Sequence, residues 1–148
     1  MSADRPAGLP DLDLTEANAF GRATGFRLTS VSGDRVTGVV EVGPDQHTPW
    51  GVVHGGVYCA VVEAAASVGA STAVTADGRF AVGVNNNTDF IRATTQGRLD
   101  VVAEPVQQGR TQQLWQVVIT RAGDGALVAR GQVRLQNIRL PGKRPSPG

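Results

Sequence analysis

Residues Trp50 to Thr72 read WGVVHGGVYCAVVEAAASVGAST, a loop running into a long and almost wholly apolar helix. Two features break the apolar character: His54-Gly55-Gly56 at its start and a single carboxylate, Glu63, near its middle. Burying an ionisable group in that way is costly unless something uses it. Residues four apart share a helix face, so Cys59, Glu63 and Ser67 fall on one stripe. The length approaches the roughly 20 residues of a membrane span. Glu63 at the centre, with Ser67, Ser71 and Thr72 behind it, argues against a span, because an acidic residue there carries an insertion penalty of about 2.5–3.5 kcal/mol. A core helix whose glutamate merely reaches solvent is the plain alternative to an active-site carboxylate.

The helix start supplies the other half of a site. The first N–H groups of a helix have no partner inside it and carry the positive end of its dipole. Gly55 and Gly56 have no side chains, so a carbonyl oxygen could approach those donors closely, which is the composition of an oxyanion hole; tight helix packing would also select glycine. Glu63 lies seven or eight residues further on, which is roughly 10–12 Å along the axis. Reacting atoms need to stand about 3–3.5 Å apart. One helix therefore cannot bring both groups to one carbon, and joint action requires a second copy running antiparallel across a twofold axis.

At 148 residues the chain fits one domain, expected over residues 13–140 between a flexible lead-in (1–12) and a flexible tail (141–148). With 41% apolar and 18% charged residues it has the make-up of a globular protein. A net charge of +1 gives no nucleic-acid footprint. Cys59 is the sole cysteine and His47 and His54 the only histidines, so neither an internal disulfide nor a metal site is expected. No cofactor is implied, and no membrane partner. The opening MSADRPAGLP has no apolar segment of the secretory kind, which makes the cytoplasm the default expectation.

Elsewhere the pattern is mostly strand. Asp13 or Thr15 is a candidate cap for a short helix through Phe20, stopped by Gly21. Gly25–Val31 and Arg35–Val42 read as a hairpin across Ser32-Gly33-Asp34. Gly43 to Val53 is a loop carrying Gln46, His47, Thr48 and Trp50 to the helix mouth. Four strands follow the helix: Arg79–Ile91, Gly97–Gln107, Thr111–Arg121 and Ala126–Ile138. Short connections imply an antiparallel sheet, and the long helix must bury itself against it. An antiparallel sheet wrapped around a central helix is the α+β hotdog arrangement. A helix apolar all round also implies cover from a neighbouring subunit.

The segments HTPWGVVHGGVYCAVVEAAAS, NNNTDFIRA and QGRTQQLW together resemble the hotdog-fold acyl-CoA thioesterases, in particular the 4-hydroxybenzoyl-CoA and phenylacetate-pathway (PaaI-type) groups. The resemblance covers roughly Gly25 to Ile138. It implies hydrolysis of an aryl- or medium-chain acyl-CoA by a homo-oligomer, a dimer with shared sites and beyond that a dimer of dimers. It places the catalytic carboxylate on Glu63, acting by direct attack or through water, the carbonyl-polarising N–H on Gly55, and a supporting hydroxyl on Ser67. His54 opens the motif and is expected to orient the loop through hydrogen bonds. Gly56, Thr48 and Trp50 fall at the thioester end, while Arg92, Arg110, Thr111 and Arg139 match contacts to the CoA phosphates. Family members carry a glutamine where this chain has Thr48, so either Gln46, two places back, substitutes through a shifted loop or that hydrogen bond is absent. Asn85, Asn86 and Asn87 could line the acyl pocket or simply pair in a strand. A non-catalytic acyl-CoA-binding protein and an enoyl-CoA hydratase or dehydratase are the other roles such a fold could serve.

Overall fold

The computed structural model describes residues 18–139. It opens with a short helix, α1 (Ala19–Thr24), capped by Asn18, whose Oδ1 accepts a hydrogen bond from the Gly21 N–H at 2.8 Å. Gly25 ends it at φ 73°, a left-handed conformation that favours glycine. The helix expected through Phe20 with a stop at Gly21 is therefore corrected: Gly21 lies inside it. Asn18 and Gly25 set its bounds because each supplies the missing partner or dihedral at a helix end. Asp13, Thr15, the lead-in over 1–12 and the tail over 141–148 lie outside the described residues.

Six strands and one long helix follow: β1 (Phe26–Val31), β2 (Val36–Val42), α2 (Gly55–Val74), β3 (Arg79–Phe90), β4 (Gly97–Gln108), β5 (Gln112–Arg121) and β6 (Leu127–Arg139). The sheet is antiparallel throughout, in the order β1-β2-β4-β5-β6-β3. After β2 the chain crosses the inner face as α2 and emerges to lay β3 on the far edge, against β6. The helix thereby touches every strand.

Period-two alternation decides what meets the helix. Along β5, Gln113, Trp115, Val117 and Ile119 are buried while Gln116 is exposed. From the helix come Tyr58, Val61, Val62, Ala65, Ala66 and Ala70, all buried against the sheet. At about 1.5–3 kcal/mol for each large side chain fully withdrawn from water, this contact accounts for much of the fold's stabilisation. A helix long and apolar enough to cross a bilayer is thus the central element of a sheet-wrapped core.

The wrapping is incomplete on one side. Gly56, Cys59, Ala60, Glu63, Ala64 and Ser67 form a strip of α2 that the sheet leaves at least partly open. It runs beside β3, an edge strand with exposed apolar residues at Val84, Phe90 and, just beyond, Ile91.

Candidate active site

His54 caps α2 with its ring: Nδ1 accepts the Gly56 N–H at 2.8 Å. The proton of the neutral ring then sits on Nε2. Val57 N–H turns back to the His54 carbonyl at 3.0 Å, and His54 N–H is held by the Gln46 carbonyl at 2.8 Å. Among the described residues, the Gly55 N–H alone of these early donors has no acceptor. The Phe90 ring lies across Gly55, where a side chain would overlap it, and tilts against Tyr58 at 5.9 Å between centroids. Burial pushes the Tyr58 hydroxyl's pKa up, with the neighbouring Thr94 hydroxyl opposing the shift. Neither hydroxyl closes a hydrogen bond in this geometry among the described residues.

The loop before the helix is tied down from both sides. The Gln46 Oε1 accepts from Gly43 N–H at 2.9 Å, and its Nε2 donates to the Thr24 carbonyl at 3.1 Å, with the Ala23 and Glu41 carbonyls at 3.4 Å. Its amide fastens the loop to the end of α1, so the sequence expectation that Gln46 reaches the thioester finds that side chain already engaged. The Thr48 hydroxyl accepts from Trp50 N–H at 3.3 Å, and the Trp50 indole stands 86% exposed. Val53 N–H to the Thr94 carbonyl at 2.9 Å joins this loop to the segment after β3.

Glu63 is exposed and lines an open cavity of about 540 Å³ with Phe20, Gly56, Cys59, Ala60, Ala64 and Asn86. Its Oε2 is 3.5 Å from Asn86 Nδ2, and its Oε1 rests against the main chain of Gly83. Asn86 Nδ2 also donates to the Cys59 carbonyl at 3.0 Å, and Thr88 Oγ1 donates to Asn86 Oδ1 at 2.6 Å. Ser67 lies one turn beyond Glu63 on the same strip, half-buried. A carboxylate in an apolar recess lined by small residues, with a free helix N–H eight residues away, can supply a nucleophile and stabilise an oxyanion. The two functions stand at different points along one helix.

The arginines fall into two groups. Arg79 faces Arg139 across the β3–β6 register and donates to the Arg110 carbonyl at 2.6 Å, so Arg79, Arg110, Thr111 and Arg139 share one corner of the sheet. Arg92 is exposed past the other end of β3, roughly 35 Å or more away at the rise of an extended strand. Within one chain, therefore, Arg92 and the Arg110 corner cannot hold the same phosphate. Phe20, Gly83, Thr88 and Phe90 were not singled out by sequence reasoning. Strand parity was the available signal for Asn86, since a middle residue of three faces the opposite way from its neighbours.

A central helix crossing the inner face of an antiparallel sheet is the hotdog fold, and the open strip with its one carboxylate is the candidate site on it. The chain belongs to the thioesterase superfamily, whose family model matches residues 51–128, and it is a thioester hydrolase. It is 46% identical over 139 residues, 93% of this chain and 95% of the relative, to a Mycobacterium tuberculosis protein that carries an esterase name. The solved structure of that relative superposes with a TM-score of 0.79 over 86% of this chain and all (100%) of the other. The crystal structure of AziG from S. sahachiroi has 43% identity and a TM-score of 0.78, covering 83% of this chain and 98% of that one. The proofreading thioesterase EntH of Cronobacter turicensis is 31% identical over 111 residues, 75% of this chain and 80% of EntH.

Proposed function

We propose that the protein hydrolyses acyl-CoA thioesters, with an aryl or medium-chain acyl group, at sites shared between two copies of the chain. The observation that carries this reading is the separation on α2 between the open Gly55 N–H and the exposed Glu63 carboxylate. An antiparallel second copy would place each Glu63 beside the other's helix start, and the uncovered strip together with the β3 edge supplies a surface for it. The same apposition would bring the two arginine groups, far apart in one chain, towards one bound nucleotide. Arg92, Arg110, Thr111 and Arg139 are then the phosphate contacts, and the exposed Trp50 flanks the entrance with Thr48. Two such dimers would pair to give a tetramer.

The thioester carbonyl oxygen takes the Gly55 N–H, which stabilises the negative charge that develops on it. Glu63 of the other copy delivers oxygen to the carbonyl carbon, either directly or by deprotonating a water held near Ser67. The C–S bond breaks and the thiolate leaves and takes up a proton. In the direct route water then cleaves the Glu63–acyl anhydride to release the acid, and in the other the attacking water has already supplied the acid's hydroxyl oxygen. His54 shapes the donor by occupying Gly56, which leaves Gly55 as the available N–H. With Nδ1 so engaged, His54 is poorly placed to move protons on carbon, which disfavours hydratase chemistry.

Thiol release from a panel of benzoyl-, 4-hydroxybenzoyl-, phenylacetyl-, hexanoyl- and octanoyl-CoA, run on wild type and Glu63→Ala, tests the reading. Release by wild type and its loss in Glu63→Ala is the expected outcome. Near-native kcat in the variant would remove Glu63 from the mechanism, and a monomeric mass by light scattering in active protein would remove the shared site.

A further inference from the structure

We infer that Asn86 is a positioning residue that fixes the Glu63 carboxylate for attack, a role that rests on the hydrolase reading of Glu63 above. Asn86 sits in the middle of β3, and of the three consecutive asparagines it is the one turned to the helix. Asn87 lines a depression on the outer face with Asp89, Gln116 and Arg130. Asparagine is a poor strand former, so its presence on an inward-facing strand position calls for a reason beyond pairing.

The geometry supplies one. The Cys59 carbonyl can only accept, so the Asn86 edge that meets it at 3.0 Å must be the NH2 group. Thr88 Oγ1, donating at 2.6 Å, holds the opposite edge. The amide is thus clamped on both sides, and its contact with the helix falls on the residue one turn before Glu63. The remaining N–H points at Glu63 Oε2, 3.5 Å away, a distance that a small movement of the exposed carboxylate would close. Gly83 leaves the room that Oε1 needs on the other side. A long glutamate on an exposed helix face has many rotamers, and a donor from a rigid strand selects one of them.

The test is hydrolysis of the best substrate of the panel by Asn86→Ala, Asn86→Asp and Thr88→Val, each checked for native thermal melting, together with Asn86→Ala in a Glu63→Asp background. Asn86→Ala should lower kcat about 10–100-fold with KM within about threefold, the signature of a misplaced reacting group. Asn86→Asp, which keeps the shape but replaces the donor by an acceptor, should lose at least as much, and Thr88→Val less. In Glu63→Asp, whose shorter carboxylate no longer reaches Asn86, removing the amide should cost under about threefold. An equal loss in both backgrounds, a loss confined to KM, or full activity in Asn86→Asp would overturn the positioning role while leaving the hydrolase reading intact. Unimpaired hydrolysis by Glu63→Ala would overturn that reading instead.

Discussion

The Glu63 carboxylate rests on the main chain of Gly83, with Oε1 in the space that the first side-chain carbon of any other residue would occupy. The obstacle is the end of a flexible, exposed side chain, and the Gly83 backbone has no left-handed dihedral that forbids other residues. Gly83→Ala is therefore expected to fold with stability within about 1 kcal/mol of wild type. Its carboxylate, however, has to swing away from Asn86, and a displacement near 1 Å is enough to cost about 100-fold in kcat. Melting curves and kcat measured on the same preparation check both halves. Full activity would show that this resting place of Glu63 is not the reacting one.

A second expectation concerns the start of α2. Because His54 Nδ1 accepts the Gly56 N–H, His54→Ala leaves that donor unpaired, and loss of an N-cap costs about 1 kcal/mol. Asparagine is among the best cap residues, so His54→Asn should recover most of the loss in urea unfolding. Equal destabilisation by both would mean that ring packing, rather than the cap, is what His54 contributes.

The carboxylate, the glycine pair and all six strands are legible in the sequence because each breaks or repeats a strong local pattern. A lone acid stands out on an apolar helix, and valine-rich alternation marks strands whatever they pair with. The start of the chain is less legible, since a glycine inside α1 and one after it look alike until the backbone shows that Gly25 has the positive φ. The role expected of Gln46 depended on where its amide points, and the nearby carbonyls of α1 come from residues about 22 positions earlier in the chain. The resemblance assigned the arginines together as CoA contacts, whereas the antiparallel pairing of β3 with β6 puts Arg92 and Arg139 at opposite ends of that pair. Parity sets Asn86 apart from Asn85 and Asn87, but a register shift between Gly83 and Asn85 means that counting along β3 from the buried Ala81 assigns it the wrong face.

Tyr58 gives a prediction in pH. Its burial raises the pKa above the ordinary value of 10.0, so the protonated form is favoured in the folded state. The stabilisation tied to that proton is complete below the unfolded pKa and is lost as pH rises towards the folded one. Tyr58 is the chain's only tyrosine, so tyrosinate absorbance reports on it alone. Folded protein should titrate above pH 10, and denatured protein at about pH 10. A folded-state midpoint at or below the denatured one would contradict the burial.

The last prediction concerns the buried amide that locks helix to sheet away from the cavity. Gln113, 2% exposed, donates through Nε2 to the Ala70 carbonyl at 2.9 Å and to Asn137 Oδ1 at 2.8 Å. Its Oε1 accepts from Trp115 Nε1 at 2.9 Å and from Gln108 Nε2 at 3.1 Å. Every hydrogen-bonding site of the amide is thus filled, joining α2, β4, β5 and β6. Gln113→Leu matches the volume but strands the Trp115 N–H and Asn137 Oδ1 in a dry interior, at about 1–3 kcal/mol for each group left unpaired. We therefore expect a loss of about 2–4 kcal/mol in urea unfolding, with kcat per folded molecule unchanged because Glu63 and Asn86 are untouched. A neutral substitution would mean that apolar packing replaces the network without loss. A fall in kcat at full folding would mean instead that the network reaches the cavity through α2, for Ala70 and Glu63 lie two turns apart on the same helix.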